Sequence, residues 1–175
     1  MKIISRMAMS ADGYVTNADR WPAQIADPVF SPGESHGIPE FLVGKEAALM
    51  GRTTFEPALG GDRWPWPNLK VYVLGSKRPE GTPEDVVVES DPGRLLAKLR
   101  EDNEGGDVHL IGGPATIETY RALGALDRLE LVVLPLFLGG GMHLTPALST
   151  NTNLDLVSQR PIPGGSVEIV YDVNC

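Results

Sequence analysis

Apolar positions fall in short blocks along this chain, and the blocks predict strands interleaved with helices. Residues 2–9 (KIISRMAM) read as a strand that starts almost at the first residue, and Ser10-Ala11-Asp12-Gly13 reads as the turn that ends it. Runs at 47–50, 69–74, 86–88, 107–111 and 128–134 have the continuous apolar character of buried strands. Residues 166–173 (SVEIVYDV) alternate instead, as a half-buried strand does. Between these blocks the period changes. IPEFLVGKE (38–46) predicts a short helix, and a second is expected to start near Thr53, with Pro57 in its first turn and Phe55, Ala58 and Leu59 facing inward. Asp91 is a natural N-cap and Pro92 a natural first helical residue, so Leu95, Leu96 and Leu99 mark an amphipathic helix to about Asn103. Pro114 opens another, with Ile117, Tyr120 and Leu123 on one face and Gly124 past its end. Residues 16–39 are rich in Pro, Asp, Ser and Gly and predict a long loop, of the kind that often serves as a lid or binding segment.

Strands alternating with helices predict an α/β fold with a mostly parallel central sheet. No helical pattern separates the last strands, so antiparallel C-terminal strands are expected. The length of 175 residues suits one domain, residues 1–175, able to bury roughly two thirds of its unfolded surface.

Charge and composition narrow the partners. The formal net charge is −8, which argues against nucleic acid or an anionic membrane surface as the main partner. No stretch reaches the roughly 20 apolar residues of a membrane helix, and the start lacks a leader-like apolar run, so a cytoplasmic location is expected. The single cysteine, Cys175, supports neither a disulfide nor a thiolate metal site, and it reads as a frayed terminal thiol. His36, His109 and His143 lack metal-ligand spacing, so no metal is expected, and His109, inside a strand, reads as structural.

Candidate chemistry lies at the strand ends. Gly51-Arg52-Thr53-Thr54, Gly75-Ser76-Lys77 and Gly112-Gly113 each follow an apolar run. In an open α/β sheet, ligands bind beyond the carboxyl ends of the strands. Glycine there lets backbone approach a phosphate, hydroxyls add donors, and Arg52 and Lys77 add charge. Any one of these turns is, by itself, more often only a turn. Together they point to a ligand with several phosphates, a nucleotide being the natural one, although neither standard phosphate fingerprint is present. Trp21, Trp64 and Trp66 all lie next to prolines, where packing is the plain reading. For Trp21 a ring-stacking wall is the sharper alternative.

Five segments in order, MSADGYVT, MGRTTFE, VYVLGSK, VHLIGGPATIETY and LDRLELVVLPLFLGGG, resemble the dihydrofolate reductase-like superfamily. The S-x-D-G turn and the P-x-x-x-G-x-G run resemble more closely the RibD C-terminal domain family, the reductase domain of riboflavin biosynthesis. That resemblance implies a three-layer α/β/α fold and an NADPH-dependent reductase acting on a pyrimidine, pteridine or related small heterocycle or carbonyl. By position it implies that Gly51, Arg52, Thr53 and Thr54 hold phosphates. Leu74, Gly75, Ser76 and Lys77 would line the adenosine end, and Gly112, Gly113, Ala115 and Thr116 the pyrophosphate and nicotinamide side. Met9, Ala11, Asp12 and Gly13 would border nicotinamide and substrate. Asp12 is the implied proton-handling or hydrogen-bonding residue, with Glu40 in reserve and Glu34 next. A homodimer joined through the C-terminal sheet is also implied, to which LVVLPLFL (131–138) could contribute if it is not simply a buried strand. The chain departs from the family in lacking a fused deaminase domain, which implies a stand-alone form. It departs again at Thr145-Pro146, where an aromatic residue is usual. These departures motivate an alternative: a nucleotide-binding or regulatory protein without turnover.

Overall fold

A computed structural model of the chain describes residues 1–145 and 151–174; Pro146 and Cys175, both singled out above, lie outside the described residues. Eight strands form one sheet: β1 (Ile3–Ser10), β2 (Lys45–Gly51), β3 (Lys70–Leu74), β4 (Val87–Glu89), β5 (Asp107–Gly112), β6 (Arg128–Leu134), β7 (Asn153–Ile162) and β8 (Ser166–Asn174). Their order is β4-β3-β2-β5-β1-β6-β8-β7. The first six run parallel, β8 is antiparallel to β6, and β7 is antiparallel to β8.

Helices cover both faces. On one face α3 (Pro92–Asp102) and α4 (Pro114–Ala122) press Leu95, Leu96, Leu99, Ile117 and Tyr120 onto Ile3, Leu49, Tyr72 and Leu110. Each such side chain, fully buried, contributes about 1.5–3 kcal/mol relative to exposure. The Asp91 carboxylate accepts the Arg94 N–H at 2.7 Å, so the predicted cap forms as local chemistry dictates. On the other face Phe55, of the short α2 (Arg52–Phe55), packs with Trp64 and Trp66 over Ala48, Met50, Val71 and Val73. Beside them α1 (Ile38–Leu42) sets Phe41 edge-on against His109, ring centroids 4.6 Å apart. Burial, with the charges of Lys45 and Arg6, pushes the His109 imidazole down to about 3, so it is neutral and packs as part of the core.

Three details differ from the sequence expectations. Helix α1 stops at Leu42 because Gly44 turns the chain into β2, which starts at Lys45 rather than Ala47. Pro57 does not sit inside one continuous helix: α2 ends at Phe55 and a separate 3-10 turn, Glu56–Gly60, begins around the proline. Strand β7 has no counterpart in the sequence reading. It lies at the edge of the sheet with every residue but Ile162 exposed, so no burial pattern betrays it.

Candidate functional site

Strand register brings the glycine-rich ends together. Gly51 lies opposite Leu74, Met50 opposite Gly112, and Ser10 opposite Leu134. The loops after β3, β2, β5, β1 and β6 therefore leave one edge of the sheet side by side, where ligands of such sheets bind.

The β2, β3 and β5 ends are open and carry cations. A Cβ on Gly51 would lie 2.5 Å from the Oγ1 of buried Thr116, so the β2 exit passes α4 at a distance only glycine allows. This close approach is a backbone cradle, and Thr53, Ser76, Lys77 and Ala115 around it are exposed. Arg52 is half-exposed and donates to Glu56 at 3.0 Å. After β3, a depression of about 230 Å³ is lined by Gly75, Ser76, Lys77, Arg78, Val88, Glu89 and Ser90. Arg78 is not available to a ligand there, because its guanidinium is hydrogen-bonded to the carbonyls of Val86 and Pro83. Glu89 brings a carboxylate to the same depression, held down at about 2 by the Asp91 N–H, the Arg94 guanidinium and the Ser90 N–H. The cradle and the exposed cations suit a phosphate-bearing cofactor, with Glu56 and Glu89 limiting how much positive charge it meets.

The β1 and β6 ends are closed onto each other. Ala11 N–H donates to the Leu136 carbonyl at 2.9 Å, and Val15 N–H to that of Met142 at 2.8 Å. Met142 N–H donates to Thr16 Oγ1 at 3.0 Å. Tyr14 stacks on His143, centroids 4.5 Å apart. Gly141 is required: a Cβ there would lie 1.9 Å from the Thr16 carbonyl oxygen, and its φ is +132°. Asp12 completes the seam. Its carboxylate accepts the N–H of Leu138 at 3.1 Å and of Gly139 at 2.8 Å. The Ser10 hydroxyl and these two N–H groups hold it at about 2, against an ordinary 3.8.

The profile of the RibD C-terminal domain family matches residues 1–167. The chain belongs to this family. Solved structures share its fold. A protein of Shewanella sp. PV-4 named for riboflavin biosynthesis is 22% identical with a TM-score of 0.82, each chain covering 100% of the other. Dihydrofolate reductase from Enterococcus faecalis, complexed with NADP(H), is 19% identical with a TM-score of 0.69, over 99% of this chain and 97% of that one. A diaminohydroxyphosphoribosylaminopyrimidine deaminase/5-amino-6-(5-phosphoribosylamino)uracil reductase from Thermotoga maritima is 14% identical with a TM-score of 0.72. That match covers 99% of this chain and 56% of the Thermotoga protein. At these identities the likeness is one of fold: a dihydrofolate reductase-like α/β/α sandwich.

Among the residues singled out in the sequence, the register gathers Gly51 to Thr54, Leu74 to Lys77, and Gly112 to Thr116 on one side of the family's sheet edge, and Met9 to Gly13 on the other. Glu40 is not gathered with them. It is exposed on α1, and its charge is felt by Arg160 on β7. Glu34, also exposed, accepts the Ser31 hydroxyl within the long loop. Trp21 is 60% exposed at the end of the first-loop hairpin, its N–H bound by the Asn17 side chain, whereas Trp64 and Trp66 are packing residues. Sequence reasoning missed Glu56, Glu89 and the Tyr14–His143 stack. The four-residue spacing of Arg52 and Glu56 could have flagged their pairing on a helix. The stack joins residues far apart in sequence and carries no local signal.

Proposed function

We propose that this chain is an NADPH-dependent reductase that passes hydride to a pyrimidine, pteridine or related small heterocycle or carbonyl compound. The observation that carries the reading is the backbone cradle at Gly51 and Thr116, flanked by Arg52 and Lys77, in a chain of the RibD C-terminal domain family. Gly51, Arg52, Thr53 and Thr54 would hold the cofactor's phosphates, with Arg52 near the 2′-phosphate, and Leu74, Gly75, Ser76 and Lys77 would line the adenosine end, Ser76 and Lys77 completing the 2′-phosphate site. Gly112, Gly113, Ala115 and Thr116 hold the pyrophosphate and nicotinamide side, and Met9, Ala11 and Gly13 border the reacting ring. A bound nicotinamide supplies the hydride, and the chain orients it and excludes water.

In this reading Asp12 is a positioning residue. With both oxygens engaged and its pKa near 2, it holds the seam between the loops and carries no proton to give near neutrality. The same observation favours the second reading, a nucleotide-binding or regulatory protein without turnover, because Glu40 also stands apart from the strand ends. A homodimer through β7 and β8 in the cytoplasm completes the proposal; β7 offers an exposed edge with Leu154, Leu156 and Val157.

Calorimetric titration with NADPH and with NADH tests the reading. A preference of about tenfold or more for NADPH, about 1.4 kcal/mol, is expected. Binding of neither would overturn it. Tight binding without oxidation of NADPH across pterins, ribosylaminopyrimidines and simple carbonyls would leave the second reading standing.

A further inference from the structure

Charge divides the two sides of the sheet edge. Between Glu130 and Asp155 the chain has no Asp, Glu, Lys or Arg, and His143 is the single titratable residue of that run. The described part of the chain that leaves β6, residues 135–145, lies within it. The segment bonded to that loop, residues 11–16, carries one acid, Asp12, and no Lys or Arg. Nearby cations of the same sheet face are already engaged. Arg6 Nη1 donates to Glu130 at 2.6 Å and to Glu168 at 2.8 Å, and Arg160 is bound to Glu168 as well. The Lys45 ammonium lies over the Phe41 ring at 4.5 Å. Strand-end cations sit on the other side, at Arg52 and Lys77.

The two zipped loops expose apolar surface instead. Trp21 is 60% exposed, Phe137 80% and Met142 41%. Aromatic side chains left in water on loops that leave the ligand-binding end of such a sheet are what a flat ring would cover.

We infer that the hydride acceptor of this chain is an unphosphorylated, uncharged planar ring, taken up by the apolar loops after β1 and β6 with Trp21 as a contact. This rests on the reductase reading above and names its substrate class. The Thermotoga reductase is named for a phosphoribosylated acceptor. A phosphate carries a charge of about −1.5 to −2 near neutrality, and it needs cations or convergent donors where it is desolvated. Here it would meet two facing segments, residues 11–16 and 135–145, that carry no Lys or Arg and one acid, Asp12. A neutral ring meets no such opposition and gains the burial of Trp21.

Two matched pairs of probes test this: 5-amino-6-ribosylaminouracil with its 5′-phosphate, and 6-hydroxymethylpterin with its phosphate. Each is titrated by calorimetry into NADPH-saturated and into cofactor-free protein, and NADPH is titrated separately. In at least one pair the unphosphorylated member is expected to bind at least about tenfold more tightly, and Trp21→Ala to weaken it about tenfold with NADPH affinity unchanged. Tighter binding of the phosphorylated members, or binding of no probe, would overturn the inference. Failure of NADPH to bind would instead sink the reductase reading, and the pairwise comparison in cofactor-free protein would still report on the acceptor.

Discussion

The β2, β3 and β5 ends and the β1 and β6 ends occupy one edge of one sheet, yet they are stabilised differently. On the first side Arg52, Thr53, Ser76 and Lys77 point to solvent, and the tightest feature is a bare glycine passing a buried threonine. On the second, backbone and side-chain hydrogen bonds tie residues 11–16 to residues 136–143. The difference shows that a crevice of this kind need not be bonded alike along its length. Exposed donors and cations, Arg52 held only by a surface pair with Glu56, suit a charged ligand that brings its own bonding partners. A loop pair already satisfied internally can offer only shape and apolar surface, and it keeps that shape before any ligand arrives.

The contrast breaks most severely at Gly141. Gly141→Ala drives a methyl group into the Thr16 carbonyl, so stability should fall on the order of 3 kcal/mol in urea unfolding. Gly140→Ala, with nothing within 4 Å, should change it by less than roughly 0.5 kcal/mol. Equal effects at the two positions would mean the seam is not closed in solution. On the open side, Gly51→Ala should cost about 2 kcal/mol through its clash with Thr116. The double variant with Thr116→Ala should recover much of that, a coupling a mutant cycle reads directly. Arg52→Ala should weaken NADPH about tenfold, about 1.4 kcal/mol, without lowering the melting temperature. NADH affinity should not move; an equal loss for both cofactors would remove Arg52 from the 2′-phosphate site.

The smallest expected effect is on the pH profile of the seam. Asp12 is held at about 2 in the folded chain against an ordinary 3.8. Its contribution is therefore fully present above about pH 4 and lost as pH falls toward 2. Thermal melts from pH 5 to pH 2 should fall less steeply for Asp12→Asn than for the unaltered chain. Glu89, depressed to a similar value, still titrates in both, so the difference between the two profiles isolates Asp12.

What could be read from the sequence was local. The Asp91-Pro92 start of α3 and the glycine punctuation of β2, β3 and β5 depend on neighbours a few residues away, so pattern reasoning finds them. The partners of Asp12 lie 126 and 127 residues along the chain, and no spacing rule reaches that far. The turn marks Asp12 as a candidate for chemistry, and only the fold shows that its carboxylate also closes a seam. Strand β7 escaped for another reason. Its pairing is dictated by β8, and every side chain but Ile162 is exposed, so neither period nor burial left a mark. Glu89 escaped because it ends a three-residue strand whose carboxylate matters only once the loop after β3 folds beside it.

The placement of β1 has a consequence for how the chain is made. This strand begins at Ile3, but its hydrogen-bonding neighbours are β5 and β6, whose partners for Ile3 and Ile4 start at Val108 and Arg128. A ribosome adding roughly 5–20 residues per second leaves β1 without either neighbour for about 5 to 20 seconds. Throughout that interval an apolar segment with both edges open is free to pair with other nascent chains. The first strand translated is thus among the last to be satisfied. Yield in the cell should respond to translation speed and chaperone supply more sharply than the stability of the finished fold would predict.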